Sequence, residues 1–189
     1  MSATGQSQIV EDPVFRHRLR FEQTTDEHGA PAVRCEMWID PGGGVPPHVH
    51  PKMEERFTVV AGRAEFLAGR SWVARDPGET VVIPPGTRHA YRNRGSVEAH
   101  VVCIATPPDP GLEGFLTAGA ALSRAGRINK HGIPKGVQGW LQGALMLDAY
   151  GEMVEMSFPP APPKLVQRLV MPRLARIAKR RGYSAEQLG

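Results

Sequence analysis

Short segments of alternating apolar and polar residues run from about residue 14 to residue 106. In the stretch VRCEMWID, every second residue from Val33 to Ile39 is apolar, as in a strand with one buried face. Turn residues separate these segments; in DPGE at 76–79, Pro fixes φ and Gly permits a positive φ. Ala61-Gly62 predicts a hairpin between its flanking strands. Many short strands at regular spacing predict a mainly β fold, either a sandwich or a barrel.

After PPDPG at 107–111 the apolar residues recur at helical spacing, which predicts amphipathic helices. Pro172 interrupts the last of them, so either that helix kinks or a second helix begins with Pro in its first turn. We expect the apolar residues of this last segment to form one packing stripe. They are Leu165, Val166, Leu169, Val170, Leu174, Ile177 and Ala178.

Length and composition agree with one domain and a helical appendage. The chain has 189 residues, of which 41% are hydrophobic, so it can bury a core without disulfides or structural metal. We divide it into an N-terminal arm (1–13), a β domain (14–110) and a helical extension (111–189), with a stiff Pro-rich linker at 159–163 inside the extension. An extension of this length can cap one end of a barrel and control what enters it.

The net charge of +4 comes from the last helical segment. Seven positive residues and no acid lie there, which leaves the rest of the chain mildly acidic; they are Lys164, Arg168, Arg173, Arg176, Lys179, Arg180 and Arg181. This distribution argues against nucleic-acid binding by the whole protein. The same segment can lie on an anionic membrane surface or pack on the barrel or a partner subunit. We favour packing over the membrane surface, and we expect a homodimer.

Two cysteines, Cys35 and Cys103, fall in strand-like apolar segments, where they resemble small buried hydrophobic residues; a disulfide between them is left open. The polar N-terminus does not have the pattern of a signal peptide, and no apolar stretch approaches the length of a membrane span. We therefore expect a reducing, cytoplasmic setting.

The candidate chemistry lies in GGGVPPHVHPKMEERFTVVAG, from Gly42 to Gly62. In a strand, residues i and i+2 point to the same face about 6–7 Å apart, so His48 and His50 aim at one point. If Glu55 faces the same interior, it joins them, and Glu54 then points the other way. His89 follows the turn in PPGTRH and provides a third imidazole.

A set of three imidazoles and one carboxylate suits Fe(II), Mn(II), Ni(II), Cu(II) or Zn(II), and it lacks the thiolates typical of a structural zinc site. On an octahedral ion, four protein ligands leave two positions for substrate or O₂. We favour Fe(II).

The spacing of these residues resembles the cupin superfamily. Gly42, His48, His50, Glu55 and Gly62 reproduce the first cupin motif. The second motif is matched by Gly78, Pro84, Gly86, His89 and Asn93. The resemblance covers about residues 14–106. It implies a single-domain jelly-roll barrel of the cupin-2 type that binds one metal ion through His48, His50, Glu55 and His89.

Cupins include enzymes of several classes as well as binding proteins, so the fold does not select the function. Our first hypothesis is a small-molecule dioxygenase whose four ligands hold one divalent ion, with Fe(II) favoured, and in which Glu55 also shuttles a proton. The alternatives are a non-oxidative metal-dependent isomerase or cyclase, and a non-catalytic binding or sensing module. Phe57 and Tyr91 face the interior by parity with Glu55 and His89, and they are candidate substrate contacts, although core packing is favoured.

The remaining histidines and two arginines have simpler interpretations. His100 is out of phase with its apolar neighbours, so we expect it to point outward. His17, His28 and His131 lack a partner at ligand spacing, which favours surface or structural roles. Arg56 and Arg88 flank ligand positions; they can anchor an acidic substrate or pair with Glu54, and exposed ion pairing is favoured.

Overall fold

The computed structural model describes residues 8–157 and 163–184. Within these residues the chain forms eleven strands and three helices. The strands are β1 (Val10–Asp12), β2 (His17–Thr25), β3 (Pro31–Ile39), β4 (His48–Val49), β5 (Glu54–Ala61), β6 (Ala64–Ala68), β7 (Ser71–Arg75), β8 (Thr80–Ile83), β9 (His89–Arg92), β10 (Ala99–Thr106) and β11 (Glu155–Met156). The helices are α1 (Gly111–Arg124), α2 (Gly136–Tyr150) and α3 (Lys164–Arg180).

The strands form two antiparallel sheets, in the orders β1-β2-β3-β10-β5-β8 and β11-β4-β9-β6-β7. Inward-facing apolar residues of both sheets fill the space between them, among them Leu19, Ile39, Phe66 and Val101, each 1% exposed or less. Alternation of buried and half-buried residues is clear in β10. The predicted fold, a mainly β jelly-roll barrel with C-terminal helices, is confirmed.

The hairpin predicted at Ala61-Gly62 is wrong. β5 pairs with β10 and β8, whereas β6 pairs with β7 and β9, so the chain passes from one sheet to the other at this turn. Gly62 has φ +72°, and a Cβ placed on it would lie 2.4 Å from the Glu98 carbonyl oxygen. The glycine is therefore required by both the backbone conformation and the close approach of the strand end.

The helices cover one side of the barrel. Leu112 and Ala120 of α1 belong to the barrel's apolar core. A separate apolar cluster joins α2 to α3 through residues such as Leu145 and Met171. Val154, just before β11, returns to the barrel core, and β11 pairs with β4. The extension is thus connected to the barrel at both α1 and β11.

Helix α3 is continuous through Pro172, and only part of the predicted packing stripe packs, through Ala178 and Leu174. The residues that α3 buries are Met171, Ala175 and Ala178, which follow the i, i+4, i+7 spacing of a narrow contact with α2. Most of the predicted stripe is exposed instead, from Val170 at 39% to Leu165 at 69%. A period of 3.6 identifies an amphipathic helix. Because the apolar stripe of α3 is wider than its contact with α2, the apolar residues beyond that contact lie in solvent.

Two of the predicted segments, the N-terminal arm and the Pro-rich linker, are only partly described. Of the predicted N-terminal arm, residues 1–7 lie outside the described residues, and β1 pairs with β2 at the edge of the six-stranded sheet. Residues 159–162 of the predicted linker also lie outside them, and Pro163 precedes α3 directly. Among the helices that are described, none has the length and apolarity needed to cross a membrane.

Candidate metal centre

Three strands bring the four predicted ligands together. His48 in β4 and His89 in β9 are direct cross-strand partners. His50 follows β4, where the Gly86 amide donates to its carbonyl oxygen at 2.8 Å. Glu55 enters from β5, which belongs to the opposite sheet. One nitrogen or oxygen atom from each of these four residues lies within 4.8 Å of all the others, so this group could hold a metal ion.

Backbone carbonyl groups orient all three imidazole rings. Nδ1 of His48 lies 3.0 Å from the Pro46 oxygen, and Nδ1 of His89 lies 2.9 Å from the Thr87 oxygen. Nδ1 of His50 lies 3.0 Å from the Met153 oxygen. A carbonyl oxygen only accepts, so each Nδ1 carries the proton and each Nε2 presents a lone pair. This arrangement is the one that metal-ligating histidines use.

One close contact in the centre fits a bound cation. Nε2 of His89 and Oε2 of Glu55 are 2.7 Å apart, and both are buried without a properly formed hydrogen bond. With the His89 proton on Nδ1, two acceptors face each other, and burying unpaired acceptors is costly. A metal ion that accepts both lone pairs removes this conflict. The donor set therefore fits a divalent transition metal.

The electrostatics of the centre also favour a bound cation. Burial acts to raise the pKa of Glu55, but His50 and His89 outweigh it and lower that pKa to about 2. Burial, together with His89 and His50, lowers the pKa of His48 well below its usual value. Burial likewise acts to lower the pKa of His89, but its contact with Glu55 outweighs burial and raises it. Glu55 is thus ionised at neutral pH, and a proton favoured by Glu55 would compete with a metal ion for Nε2 of His89.

The two candidate substrate contacts lie deeper in the barrel. Phe57 is 3% exposed and packs 5.2 Å, between ring centroids, from Phe66. Tyr91 is also buried, and its hydroxyl lies 2.7 Å from Nδ1 of His17. Burial raises the pKa of Tyr91 well above its usual value, so it stays protonated. Both residues belong to the apolar core, and their contact with a substrate remains a prediction.

The other residues discussed above lie outside the centre. His100 lies 2.9 Å from the Glu36 carboxylate and stacks on Trp38. Arg56 pairs with Glu27 rather than Glu54. Arg88 donates to the Ser157 hydroxyl. Cys35 and Cys103 are cross-strand partners and both are free thiols. The Cys103 sulfur lies 3.8 Å from Glu55 Oε1, directly behind the centre.

Sequence reasoning missed two features of the site. His17 takes the structural alternative of its prediction, since it is buried and bonds to Tyr91, but its position in one cavity lining with His48 was not predicted; its in-phase alternation with Leu19 and Phe21 was the available signal. The carbonyl of Met153, which orients His50, comes from a residue 103 positions away in the helical extension. No local pattern identifies such an acceptor, because every residue carries a carbonyl group.

Part of this chain is similar to known proteins. Residues 35–105 match the family model described as a cupin domain. Germin-like protein 5-1 of Oryza sativa subsp. japonica is 34% identical over 102 residues, which is 50% of this chain and 43% of that protein. Oxalate oxidase 1 of Hordeum vulgare is 39% identical over 83 residues, or 38% of this chain and 40% of that protein. The chain thus spans less than half the length of these relatives.

Among solved structures, an RmlC-like cupin from Shewanella frigidimarina aligns with a TM-score of 0.47 and 16% identity, covering 58% of this chain and 92% of that one. Oxalate decarboxylase from Bacillus subtilis aligns with a TM-score of 0.45 and 14% identity, covering 59% of this chain and 31% of that one.

Proposed function

Because the barrel of this chain contains a cupin domain, we propose that the protein is a metal-dependent enzyme of the small-molecule dioxygenase type. The observation that supports this most directly is the orientation of the donors. Three imidazoles present Nε2, and one ionised carboxylate joins them from the opposite sheet. All four donors are held by the fold before a metal arrives, so binding requires little rearrangement.

The proposed ligands of one divalent ion are His48, His50, Glu55 and His89. Fe(II) is favoured, and Mn, Ni, Cu and Zn suit the same donors. When bound, the ion would supply Lewis-acid and redox chemistry toward substrate and O₂. One relative is named an oxalate oxidase, and that name favours redox chemistry over an isomerase or cyclase.

The residues of the chain have distinct roles in this proposal. The Pro46, Thr87 and Met153 carbonyl groups fix the imidazole tautomers. Glu55 is ionised, since its pKa is lowered to about 2, so it can hold the ion as an anionic ligand; this low pKa supports ligation more than the proposed proton shuttle. The apolar walls exclude water from the centre, which strengthens electrostatic interactions there.

Metal analysis together with O₂ uptake tests the proposal. The protein is purified without added metal, its metal content is measured, and O₂ consumption is followed with a panel of enolic and phenolic substrates. We expect about one ion per chain and substrate-dependent uptake. Metal without O₂ uptake would instead indicate a non-oxidative isomerase or cyclase, or a binding module.

Ligand variants test the centre itself. His48→Ala and His89→Ala are expected to lose most of the bound metal, because each removes one donor. His100→Ala is the matched control, since His100 bonds to Glu36 away from the centre. Full metal content in both ligand variants would refute the site.

We also propose a reducing, cytoplasmic setting. In support, Cys35 and Cys103 face each other across paired strands and are both free thiols, as is usual in that compartment. Alkylation of freshly lysed cells followed by unfolding would test this, and a disulfide in the native protein would contradict it.

A further inference from the structure

A cavity of about 210 Å³ lies between the barrel and the helical extension. On the barrel side it is lined by residues that include His17, Val45 and His48, and on the extension side by α1, α2 and the loop that joins them. Of the four predicted ligands, His48 is the least buried and the one that lines this cavity. The cavity therefore meets the metal centre at His48.

The lining is almost entirely apolar. Phe115, Leu116, Ile133, Trp140 and Met146 are among its members. None of the described side chains that line it is a lysine or an arginine. Asp12 lines it, but its Oδ1 atom already accepts hydrogen bonds from the Val14 and Phe15 amides and the Ser123 hydroxyl.

His17 offers a polar contact in this apolar lining. Its side chain is 4% exposed and lines the cavity, and its Nδ1 is engaged with the Tyr91 hydroxyl at 2.7 Å. The Tyr91 hydroxyl occupies Nδ1, so Nε2 is the ring atom that can bond to a bound molecule. If Tyr91 donates to Nδ1, Nε2 is a donor; if Nδ1 donates, Nε2 is an acceptor. A hydroxyl group satisfies either state.

We propose that this cavity binds an uncharged molecule about the size of one substituted ring, apolar except for a single hydroxyl that bonds to His17. The assignment of this molecule as substrate rests on the proposed function, but the binding itself does not. An apolar cavity of about 150 Å³ is sufficient for benzene, so 210 Å³ accommodates a ring with a short substituent. The extension, rather than the barrel alone, thereby determines what reaches His48.

The same lining disfavours a small dicarboxylate such as oxalate. An anion that enters this cavity loses its hydration and finds no described cationic side chain in return, and such burial is costly. A metal ion at His48 would compensate such a charge, so this preference applies to the lining away from the ion.

Calorimetric titration of the full chain with two probes of the same shape tests the charge preference. The probes are 4-ethylphenol and 4-ethylbenzoate at pH 7, each titrated into the protein as purified and after chelator treatment. We expect the phenol to bind at least tenfold more tightly than the carboxylate after chelator treatment, and any gain in carboxylate binding in the protein as purified to report on the metal ion. Equal or tighter binding of 4-ethylbenzoate after chelation would overturn the proposal.

A substitution that fills the cavity tests the location. A Cβ added at Gly119 in α1 would meet nothing within 4 Å, so Gly119→Leu extends into the cavity without a backbone clash. This variant is expected to weaken 4-ethylphenol binding at least tenfold while remaining folded. Val137→Leu, at a helical position that is 68% exposed and outside the cavity, is the control and should bind as the parent does. Unchanged binding in Gly119→Leu would place the ligand elsewhere.

The role of His17 is tested by a ratio of two affinities, because a general loss of stability affects both affinities alike. The preference for 4-ethylphenol over ethylbenzene is measured in the parent and in His17→Phe. Loss of one hydrogen bond should lower this ratio by roughly 2- to 10-fold. An unchanged ratio would remove His17 from the site. Binding that persists in a protein without metal or O₂ uptake would refute the proposed enzyme but not the cavity.

Discussion

At the scale of single residues, the contact between His89 and Glu55 makes the metal centre sensitive to acid. A ligating imidazole must be neutral, so we expect metal to be released below about pH 5–6. The pKa of His89 is raised by Glu55, which favours its protonation as the pH falls, whereas Glu55, with a pKa of about 2, stays ionised. The pH of metal release is measured as the metal content after dialysis at a series of pH values. Circular dichroism verifies that the protein stays folded. Full occupancy at pH 4 would contradict a histidine centre.

His17 provides a second pH effect, on stability rather than on metal. Burial lowers its pKa from 6.5 to about 4, an effect that Asp12 partly opposes. Because the unfolded chain binds this proton more readily, the free energy of unfolding should fall by up to about 3 kcal/mol as the pH drops from 6.5 to 4. Urea unfolding of chelator-treated protein at pH 7 and pH 4.5 gives the slope. His17→Gln should lose this contribution; an identical slope in both proteins would contradict the prediction.

These residues also show where sequence reasoning ends. The four predicted ligands could be named because each lies at a fixed spacing from glycines that form turns, such as Gly62 for Glu55. Their tautomers could not, because they depend on carbonyl groups whose positions follow from the folded chain. The role of Met153 required the extension to return to β4, which no local pattern specifies.

At the scale of elements, the turn between β5 and β6 tests how the barrel closes. Gly62 and Gly69 both have positive φ, so replacing either by Ala costs about 1 kcal/mol from backbone strain. A Cβ at Gly62 would also lie 2.4 Å from the Glu98 oxygen, whereas a Cβ at Gly69 meets nothing within 4 Å. Gly62→Ala should therefore be less stable than Gly69→Ala by about 2 kcal/mol. Equal free energies of unfolding of the two variants in urea would show that the backbone at Glu98 shifts to make room for the methyl group.

Periodicity predicted the elements better than their partners. The β-to-helix transition at PPDPG is confirmed, since β10 ends at Thr106 and α1 begins at Gly111. The hairpin at Ala61-Gly62 was wrong because two glycine-linked strands look the same in sequence whether they pair or cross between sheets. The prediction of one packing stripe on α3 was only partly right, because the helix has more apolar positions than α2 contacts.

At the scale of the whole molecule, the exposed apolar side of α3 is the feature most in need of a partner. Leu165, Leu169 and Ile177 are 69%, 52% and 42% exposed, and nothing among the described residues covers them. We propose that a second copy of the chain does, forming a homodimer. Sedimentation velocity should show a dimer that dissociates in a Leu165→Glu/Leu169→Glu variant. Val137→Glu, at an equally exposed apolar position on α2, should remain dimeric.

The competing occupant is an anionic membrane, since Arg173, Arg176 and Arg180 also lie on α3 and are exposed. A parent protein that sediments as a monomer and binds phosphatidylserine vesicles would contradict the homodimer.

The two-residue pairing of β11 with β4 has a consequence for anyone who recombines parts of this protein. β4 carries His48, and the segment that leads into β11 supplies the Met153 oxygen to His50. A barrel from which the extension is deleted or replaced therefore loses the strand that pairs with β4 and the oxygen that orients His50. The two halves are not interchangeable modules, and a chimera joined at residue 110 should be judged by its affinity for the metal before its solubility.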